Sequence, residues 1–543
     1  MTLFERILAA RGLSAKSKAA FLNPKYELTH DPFLLNDMDK AVNRLVSAQK
    51  KQENIVIYGD YDIDGLSATT LLFDAFSCFG FKNIEIYIPN RFEEGYGLTI
   101  DAIDKFANEK IQLIVTVDCG STSEKEIKHA NELGLDVIVT DHHDCTAKHV
   151  PAVAVVNPKY DGNKYPFVDL AGVGVAFKLV QALQTKLKGI PEGHEKWLLD
   201  LVALGTVCDV VQLTDENRTF VYFGMKVLAK TKRLGLKALM AVAGVDPEKI
   251  DTRSLGFRLG PRMNASGRLE TAKHTMDMLI SDEPMFALKT AEYLDDLNRS
   301  RRIEQDKIFK AALVQAELFA DDPVLVVSGA DWNHGVVGIV ASKLLEKYKK
   351  PTFVLQEIGN ESKGSARSFG DFSVIDAVNS AKKLINKGGG HKMAVGITLP
   401  TKNIEKFRKQ VNDFYKSLNL KNQSQLLLPK ADATANLGEI NEDLIKQISR
   451  LEPFGIGNPQ PIIQCDDLEV IKIQKMGADC QHVKLDLGDI SGRIMQFISF
   501  NAPDACFVDV GSRVCVWFHP NINEWRGRRS VEGQLLHVEI IEY

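Results

Sequence analysis

Gly59-Asp60-Tyr61-Asp62-Ile63-Asp64-Gly65 is the stretch on which the reading of this chain turns. It follows a short apolar, β-branched run, Ile55–Tyr58, and leads into an amphipathic segment, Leu66–Phe79. A strand that ends in a glycine-bounded turn and hands over to a helix opens a βαβ unit. The alternation continues downstream. Ile84–Ile88, Leu113–Val117 and Val137–Val139 predict strands, with Ile100–Asn108 and Ser123–Leu133 as intervening helices. This rhythm predicts an α/β lobe built on a parallel sheet.

In such a sheet the strand C-termini share one edge, where open α/β proteins bind their ligands. The first strand delivers Asp60, Asp62 and Asp64 to that edge, the third Asp118, and the fourth Asp141-His142-His143-Asp144. Asp209, in Gly205-Thr206-Val207-Cys208-Asp209-Val210, lies between apolar stretches and can close the cluster. So many like charges in one crevice repel unless cations sit among them. Carboxylates with an imidazole or two suit Mn²⁺ or Mg²⁺ rather than a thiolate-seeking metal. Two such ions ~3.5–4 Å apart can clamp the attacking and leaving oxygens of a displacement at phosphorus.

Outward from the first lobe, residues 170–285 read as mainly helical, and Ala291–Phe319 as one extended helix joining two lobes. Val324–Val327 and Pro351–Leu355 predict strands of a second α/β unit, with helices at Val337–Lys347 and Val374–Leu384. The glycines of Lys387-Gly388-Gly389-Gly390 predict a turn, as does the segment around Asn264 and Gly267. Residues 435–450 read as helical, ending at the turn-rich Pro453–Pro461. The tail changes character: Val470–Ile473, Val483–Leu487, Ile494–Phe500, Val514–Phe518 and Leu535–Ile541 are closely spaced strands that predict a small β-barrel of the OB type. Before the first lobe, helices broken at Pro24 and Pro32 are expected.

The segments GDYDIDG, VDCG, TDHHD and GTVCDVV resemble, in order, the signatures of the DHH phosphoesterases, whose triplet stands here as Asp141-His142-His143. RMNASGR (Arg262–Arg268), GSARS (Gly364–Ser368), GGGHKMAVG (Gly388–Gly396) and LEPFGIGNPQP resemble the further motifs of the RecJ branch of that superfamily. The resemblance implies a parallel-sheet DHH catalytic lobe and a DHH-associated α/β lobe joined by a long helix, with a C-terminal OB-like barrel. The boundaries expected are 1–50 for an N-terminal helical segment, 51–285 for the catalytic domain, 286–320 for the connecting helix, 321–420 for the DHH-associated domain and 421–543 for the barrel domain.

By the same resemblance Asp62, Asp64, Asp118, His142 and Asp209 would hold two divalent ions, Mn²⁺ or Mg²⁺, with Asp118 bridging them. His143 would touch the scissile phosphate, and Asp60 would add to the catalytic group directly or through water. Some relatives carry a histidine ligand where this chain has Tyr58, a substitution expected of the RecJ branch. Arg91, Ser365 and Arg367 match positions that hold a 5′ phosphate. Arg262, Asn264 and Arg268 would grip phosphates near the cleavage point, and His391 would cap the terminal nucleotide. The implied activity is 5′ to 3′ exonucleolytic digestion of single-stranded DNA to mononucleotides, in recombination and repair. Polarity comes from the resemblance alone. A helicase and a single-strand-binding protein are the partners such an enzyme would meet.

Asn523-Glu524-Trp525-Arg526-Gly527-Arg528-Arg529 offers a separate sign of single-strand binding, an aromatic among arginines. The bulk composition neither demands nor forbids it. Net charge is −4, from 67 basic and 71 acidic residues, and a local basic groove is compatible with that balance. The eight cysteines form no CxxC pair, which argues against a zinc ribbon or a disulfide framework. Glu5, Arg6 and Arg11 interrupt the first apolar stretch, and no run reaches bilayer length, so a cytoplasmic monomer away from the membrane is the expectation. Two other readings compete: a DHH phosphodiesterase for short oligoribonucleotides or cyclic dinucleotides, and a catalytically inactive single-strand-binding relative. The β-rich tail weighs against the first, and the full ligand set against the second.

Overall fold

A computed structural model describes residues 1–13, 15–145, 150–420, 426–525 and 527–541, apart from the side chains of 15–17 and Trp525. The chain divides into two compact units. One comprises Met1–Met263, Ala272–Ala291 and Pro429–Tyr543, the other Asn264–Thr271 and Glu292–Leu428.

The first unit is built on a five-stranded sheet: β1 (Ile55–Tyr58), β2 (Ile84–Tyr87), β3 (Leu113–Val117), β4 (Asp136–Thr140) and β5 (Ala154–Val156), in the order β2-β1-β3-β4-β5. Every pairing is parallel. β1 and β3 are buried along their whole length, as near-continuous apolar runs covered on both faces must be. The expected strands are present within a residue or so of their predicted ends. β5 went unread because three residues carry no periodicity. Helices Ile63–Cys78, Ile100–Asn108 and Glu124–Glu132 make the crossovers. Helix Leu199–Cys208 is buried nearly all round, a core helix rather than a surface one.

The barrel belongs to the same unit. β11 (Ala433–Thr434), β12 (Ile463–Met476), β13 (His482–Gly488), β14 (Ile494–Ser499), β15 (Arg513–Trp525) and β16 (Arg528–Ile540) form one sheet. β12 pairs with both β13 and β15, and β14 runs parallel to β16, so five strands close on themselves. The last two strands are longer than predicted. Asn523–Trp525 and Arg528–Arg529 are paired strand ends of the β15–β16 hairpin rather than a loop between short strands. Leu3, Phe4, Ile7 and Leu8 of the first helix (Leu3–Ala10) join the barrel core with Leu444, Ile448 and Phe518. Met38–Lys51 packs instead beside the parallel sheet, where Arg44 bonds Asp136 at 2.6 Å.

The second unit carries β6 (Leu325–Gly329), β7 (Thr352–Ile358), β8 (Glu361–Arg367), β9 (Lys387–His391) and β10 (Ala394–Pro400), in the order β6-β7-β8-β10-β9. Two expectations are corrected. Lys387–Gly390 is strand, paired with β10, not a turn. Its last glycine serves close backbone approach: a Cβ on Gly390 would lie 2.3 Å from the Ala394 carbonyl oxygen. The segment around Asn264 and Gly267 is helix Gly260–Leu269, because Met263, Ala265 and Ser266 are buried there and packing overrides turn propensity. The long helix runs Pro284–Leu318, 35 residues, with proline at its first position. Of residues 435–450, only Glu442–Ser449 is α-helix.

The eight cysteines are free thiols. Among the described residues no helix is long and apolar enough to cross a membrane.

Candidate metal centre and active site

The turn after β1 gives each aspartate a different job. Asp62 caps helix Ile63–Cys78, accepting from the Gly65 amide at 3.0 Å. Asp64, in the first turn, is buried and accepts from the Gly172 and Val173 amides at 2.6 and 3.0 Å. Those amides are the N-terminus of helix Gly172–Gln184, whose dipole favours a carboxylate. Asp118 follows β3 in a left-handed conformation, φ 60°. Two glycines make room for the acids. A Cβ on Gly172 would lie 2.6 Å from Asp118 Oδ1, and one on Gly205 2.7 Å from Asp64 Oδ1.

His142 sits at the centre. Its Nε2 lies 3.1 Å from Asp118 Oδ1, 3.5 Å from Asp209 Oδ2 and 3.7 Å from Asp64 Oδ2. Overlapping groups of candidate ligands result: Asp64, His142 and Asp209 on one side, Asp60, Asp62 and Asp118 on the other, with Asp118 also grouped with both histidines. Burial, then the neighbouring carboxylates, push Asp64 up to about 7 and Asp209 up to about 9, and raise Asp118 and Asp60. Burial and the adjacent His143 lower His142 to about 3, so its imidazole is neutral. Asp60 Oδ1, Asp118 Oδ1 and His142 Nε2 are buried without a hydrogen-bond partner among the described residues. Buried polar atoms rarely go unpaired. Oxygen donors and a neutral imidazole, orphaned and crowded together, fit divalent cations.

The sequence reading brought Asp141 to the site without its tie to His143, and missed Tyr96. Asp141 accepts from the Ser121, His142 and His143 amides at 2.9, 2.7 and 3.1 Å, and its Oδ1 meets His143 Nδ1 at 2.8 Å. Although burial opposes it, these bonds hold the Asp141 carboxyl below the usual range and raise His143 in return. Tyr96 places its hydroxyl 3.1 Å from both His143 Nδ1 and the Asp118 carbonyl. The signal for Tyr96 is its setting: Gly95 and Gly97 flank it at φ 88° and 86°, in a loop that brings its hydroxyl to His143. Tyr58 is fully buried, its hydroxyl bonded to the Gly97 carbonyl at 2.9 Å.

The cationic residues fall in both units. Arg91, beyond β2, lies over the Tyr61 ring at 5.2 Å and close enough to Asp60 to oppose the rise in its pKa. Arg262 bonds the Arg258 carbonyl at 2.7 Å. In the second unit Arg367 Nη1 meets Ser365 Oγ at 2.7 Å. Arg367 and His391 are register partners of the same residue, Ala394, one strand to either side. Arg268 bonds the Gly335 carbonyl at 3.2 Å, and Asn264 lies on its helix. The Trp525 side chain lies outside the described residues.

Comparison with known proteins adds the lineage. The models of the DHH family N-terminal domain, the DHHA1 domain and the RecJ OB domain match residues 54–206, 321–417 and 431–537. The chain is 36% identical over 546 residues to the single-stranded-DNA-specific exonuclease RecJ of Bacillus subtilis (strain 168), covering 100% of this chain and 68% of that one. Against RecJ of Escherichia coli (strain K12) the identity is 34%, covering 92% and 89%. The crystal structure of RecJ in complex with Mn²⁺ from Thermus thermophilus superposes with a TM-score of 0.82 at 25% identity, covering 99% of this chain and 78% of that one. Identity at that level across the whole chain, with all three domains in order, means that this chain belongs to the RecJ family of single-stranded-DNA-specific exonucleases.

Proposed function

We propose that this chain digests single-stranded DNA from the 5′ end, releasing 5′-mononucleotides by hydrolysis that depends on two divalent cations, Mn²⁺ or Mg²⁺, in DNA recombination and repair. The observation that carries the reading is the buried cluster of Asp60, Asp62, Asp64, Asp118, His142 and Asp209 with its orphaned ligand atoms.

Asp62, Asp64, Asp118, His142 and Asp209 would hold the ions, Asp118 bridging. When bound, the ions acidify an attacking water and neutralise charge on the phosphoryl oxygens. His143, oriented through Nδ1 by Asp141, would hydrogen-bond an oxygen of the scissile phosphate. Tyr96 steadies the same ring. Asp60 adds charge beside Asp62 and Asp118. Arg91, Ser365 and Arg367 take the 5′ phosphate. Guanidinium groups suit that role through planar, bidentate donation. Arg262, Asn264 and Arg268 grip the neighbouring phosphates, and His391 caps the terminal nucleotide. Trp525, at the hairpin tip, stacks on the strand farther from the cut.

A closed barrel sharing one unit with the catalytic sheet favours a long strand over a dinucleotide. The enzyme works as a monomer in the cytoplasm, on strands exposed by a helicase or delivered by a single-strand-binding protein.

The test uses end-labelled, 5′-phosphorylated single-stranded DNA, matched RNA and blunt duplex with Mn²⁺, and Asp118→Ala as control. Mononucleotides released from the 5′ end of the single strand by the unaltered chain alone are the expected result. Rapid cleavage confined to very short oligonucleotides would move the chain to the small-substrate branch.

A further inference from the structure

We infer that Phe257, on a turn tied to the segments that carry Val210 and Ile456, is a stacking platform for bases of the strand next to the metal centre; this rests on the proposed single-strand exonuclease reading. Phe257 is 78% exposed, Val210 63% and Ile456 49%. A large aromatic in water is costly to keep unless something covers it.

Three segments carry these residues, and they are tied together. Cys208 Sγ contacts the Leu255 carbonyl at 3.8 Å, Thr252 Oγ1 bonds the Phe454 carbonyl at 2.7 Å, and the Leu213 amide bonds the Ile456 carbonyl at 2.7 Å. The segment that carries Val210 adjoins the candidate ligands in the chain. Val210 directly follows Asp209. Gly260, at the end of the Phe257 turn, is so close to Cys208 and Ile63 that a Cβ there would lie 2.9 Å from the Cys208 sulfur and 3.4 Å from Ile63 Cδ1. Ile63 separates Asp62 from Asp64, and Cys208 precedes Asp209.

Two conformational features mark the patch. Leu255–Leu259 is a π-helical turn, a local widening of the helix that is rare and concentrates at functional sites. It buries Leu255 and Leu259 while leaving Phe257 outside. Val210 is β-branched yet adopts φ 63°, a strained conformation that persists only where the surroundings enforce it.

Charge selects nucleic acid as the occupant. Arg253, Arg258 and Arg262 flank Phe257 in sequence, and Arg258 is pinned by the Ala243 and Gly244 carbonyls at 2.7 and 2.8 Å. An aromatic ring with arginines four residues before, one after and five after it in the chain can offer a face to a base and donors to its phosphates. Such contacts accept any base, as an enzyme that digests without regard to sequence requires.

The experiment measures kcat/KM for the full chain with Mn²⁺ on a 5′-phosphorylated single strand, and on matched strands carrying one abasic residue stepped inward from the 5′ end. Phe257→Ala is expected to lose about five- to tenfold on the complete strand. Phe257→Trp should retain activity, and the Phe257→Ala loss should vanish on the strand whose missing base is the one stacked. The same proportional loss on every abasic strand, or none on any strand, would overturn the platform. The unaltered chain and Asp118→Ala, run alongside, separate the two failures: an unaltered chain inactive on single strands would sink both readings, whereas an active one with uniform Phe257→Ala losses sinks the platform alone.

Discussion

Asp118 is held in a conformation that costs an L-residue roughly 1–3 kcal/mol, and its carboxylate is buried among four others and two imidazoles. Both costs are offset when cations bind, so the residue that most favours binding most destabilises the metal-free protein. Asp118→Asn is expected to cut kcat at least about a hundredfold while raising the melting temperature of the metal-free chain, the first read by digestion and the second by calorimetry in chelator. The sign of the pH effect follows. Asp64 and Asp209 stand at about 7 and about 9 in the folded chain, against an unfolded value of about 3.9. A carboxyl raised in this way contributes stability below its unfolded pKa and loses it as pH rises through its folded one. The metal-free chain therefore weakens between about pH 6 and 8, and Mn²⁺ should raise the melting temperature more at about pH 8 than at about pH 6. Thermal unfolding with and without Mn²⁺ at both values measures it, and an equal gain would count against the cluster as the binding site. Asp60, Asp62, Asp64 and Asp118 were legible because acids at strand ends share an edge. The tie of Asp141 to His143 and the place of Tyr96 were not, since neither a bond between a residue and its next-but-one neighbour nor the reach of a loop hydroxyl leaves a periodic mark.

Among the elements, the first helix departs most from its place in the chain. Ile7 is fully buried in the core of a barrel that begins more than four hundred residues later. Arg6 pairs with Glu439, and Arg11 reaches Asp432 and Asn458 at 3.2 and 2.8 Å. The amphipathic pattern of Leu3, Phe4, Ile7 and Leu8 announces a buried face, but not its partner. Ile7→Ala is expected to destabilise the barrel by about 2–5 kcal/mol, seen as a lower denaturant midpoint and faster proteolysis within the barrel strands. An unchanged midpoint would mean that the helix is not part of the barrel core. The glycine-rich strand β9 and the helix through Asn264 teach the converse. Their small residues have turn propensity, and packing against a neighbouring backbone decides otherwise.

For the molecule as a whole, the candidate ligands and Arg91 belong to one compact unit, and the other candidate end-phosphate contacts to the second. Asp118 and its neighbours lie in one, Ser365, Arg367 and His391 in the other. Functions housed separately should separate under mutation. Arg367→Ala is expected to raise KM about tenfold for a 5′-phosphorylated strand, consistent with losing one charge-assisted contact. Mn²⁺ affinity, followed by titration calorimetry, should be unchanged, and the preference for phosphate over hydroxyl at the 5′ end should shrink. A parallel loss of metal affinity would count against that division of labour.

The order of strands and helices, the acids at the sheet edge and the change to a barrel were all set by local pattern. Hydrophobic period and turn chemistry operate over a few residues and survive in the linear chain. Tertiary structure alone decided which distant pieces meet. It put the first helix into the last domain, the amides of Gly172 and Val173 onto Asp64, and the π-helical turn of Phe257 against Cys208. Such contacts depend on packing between segments far apart in the chain, and no local preference encodes them.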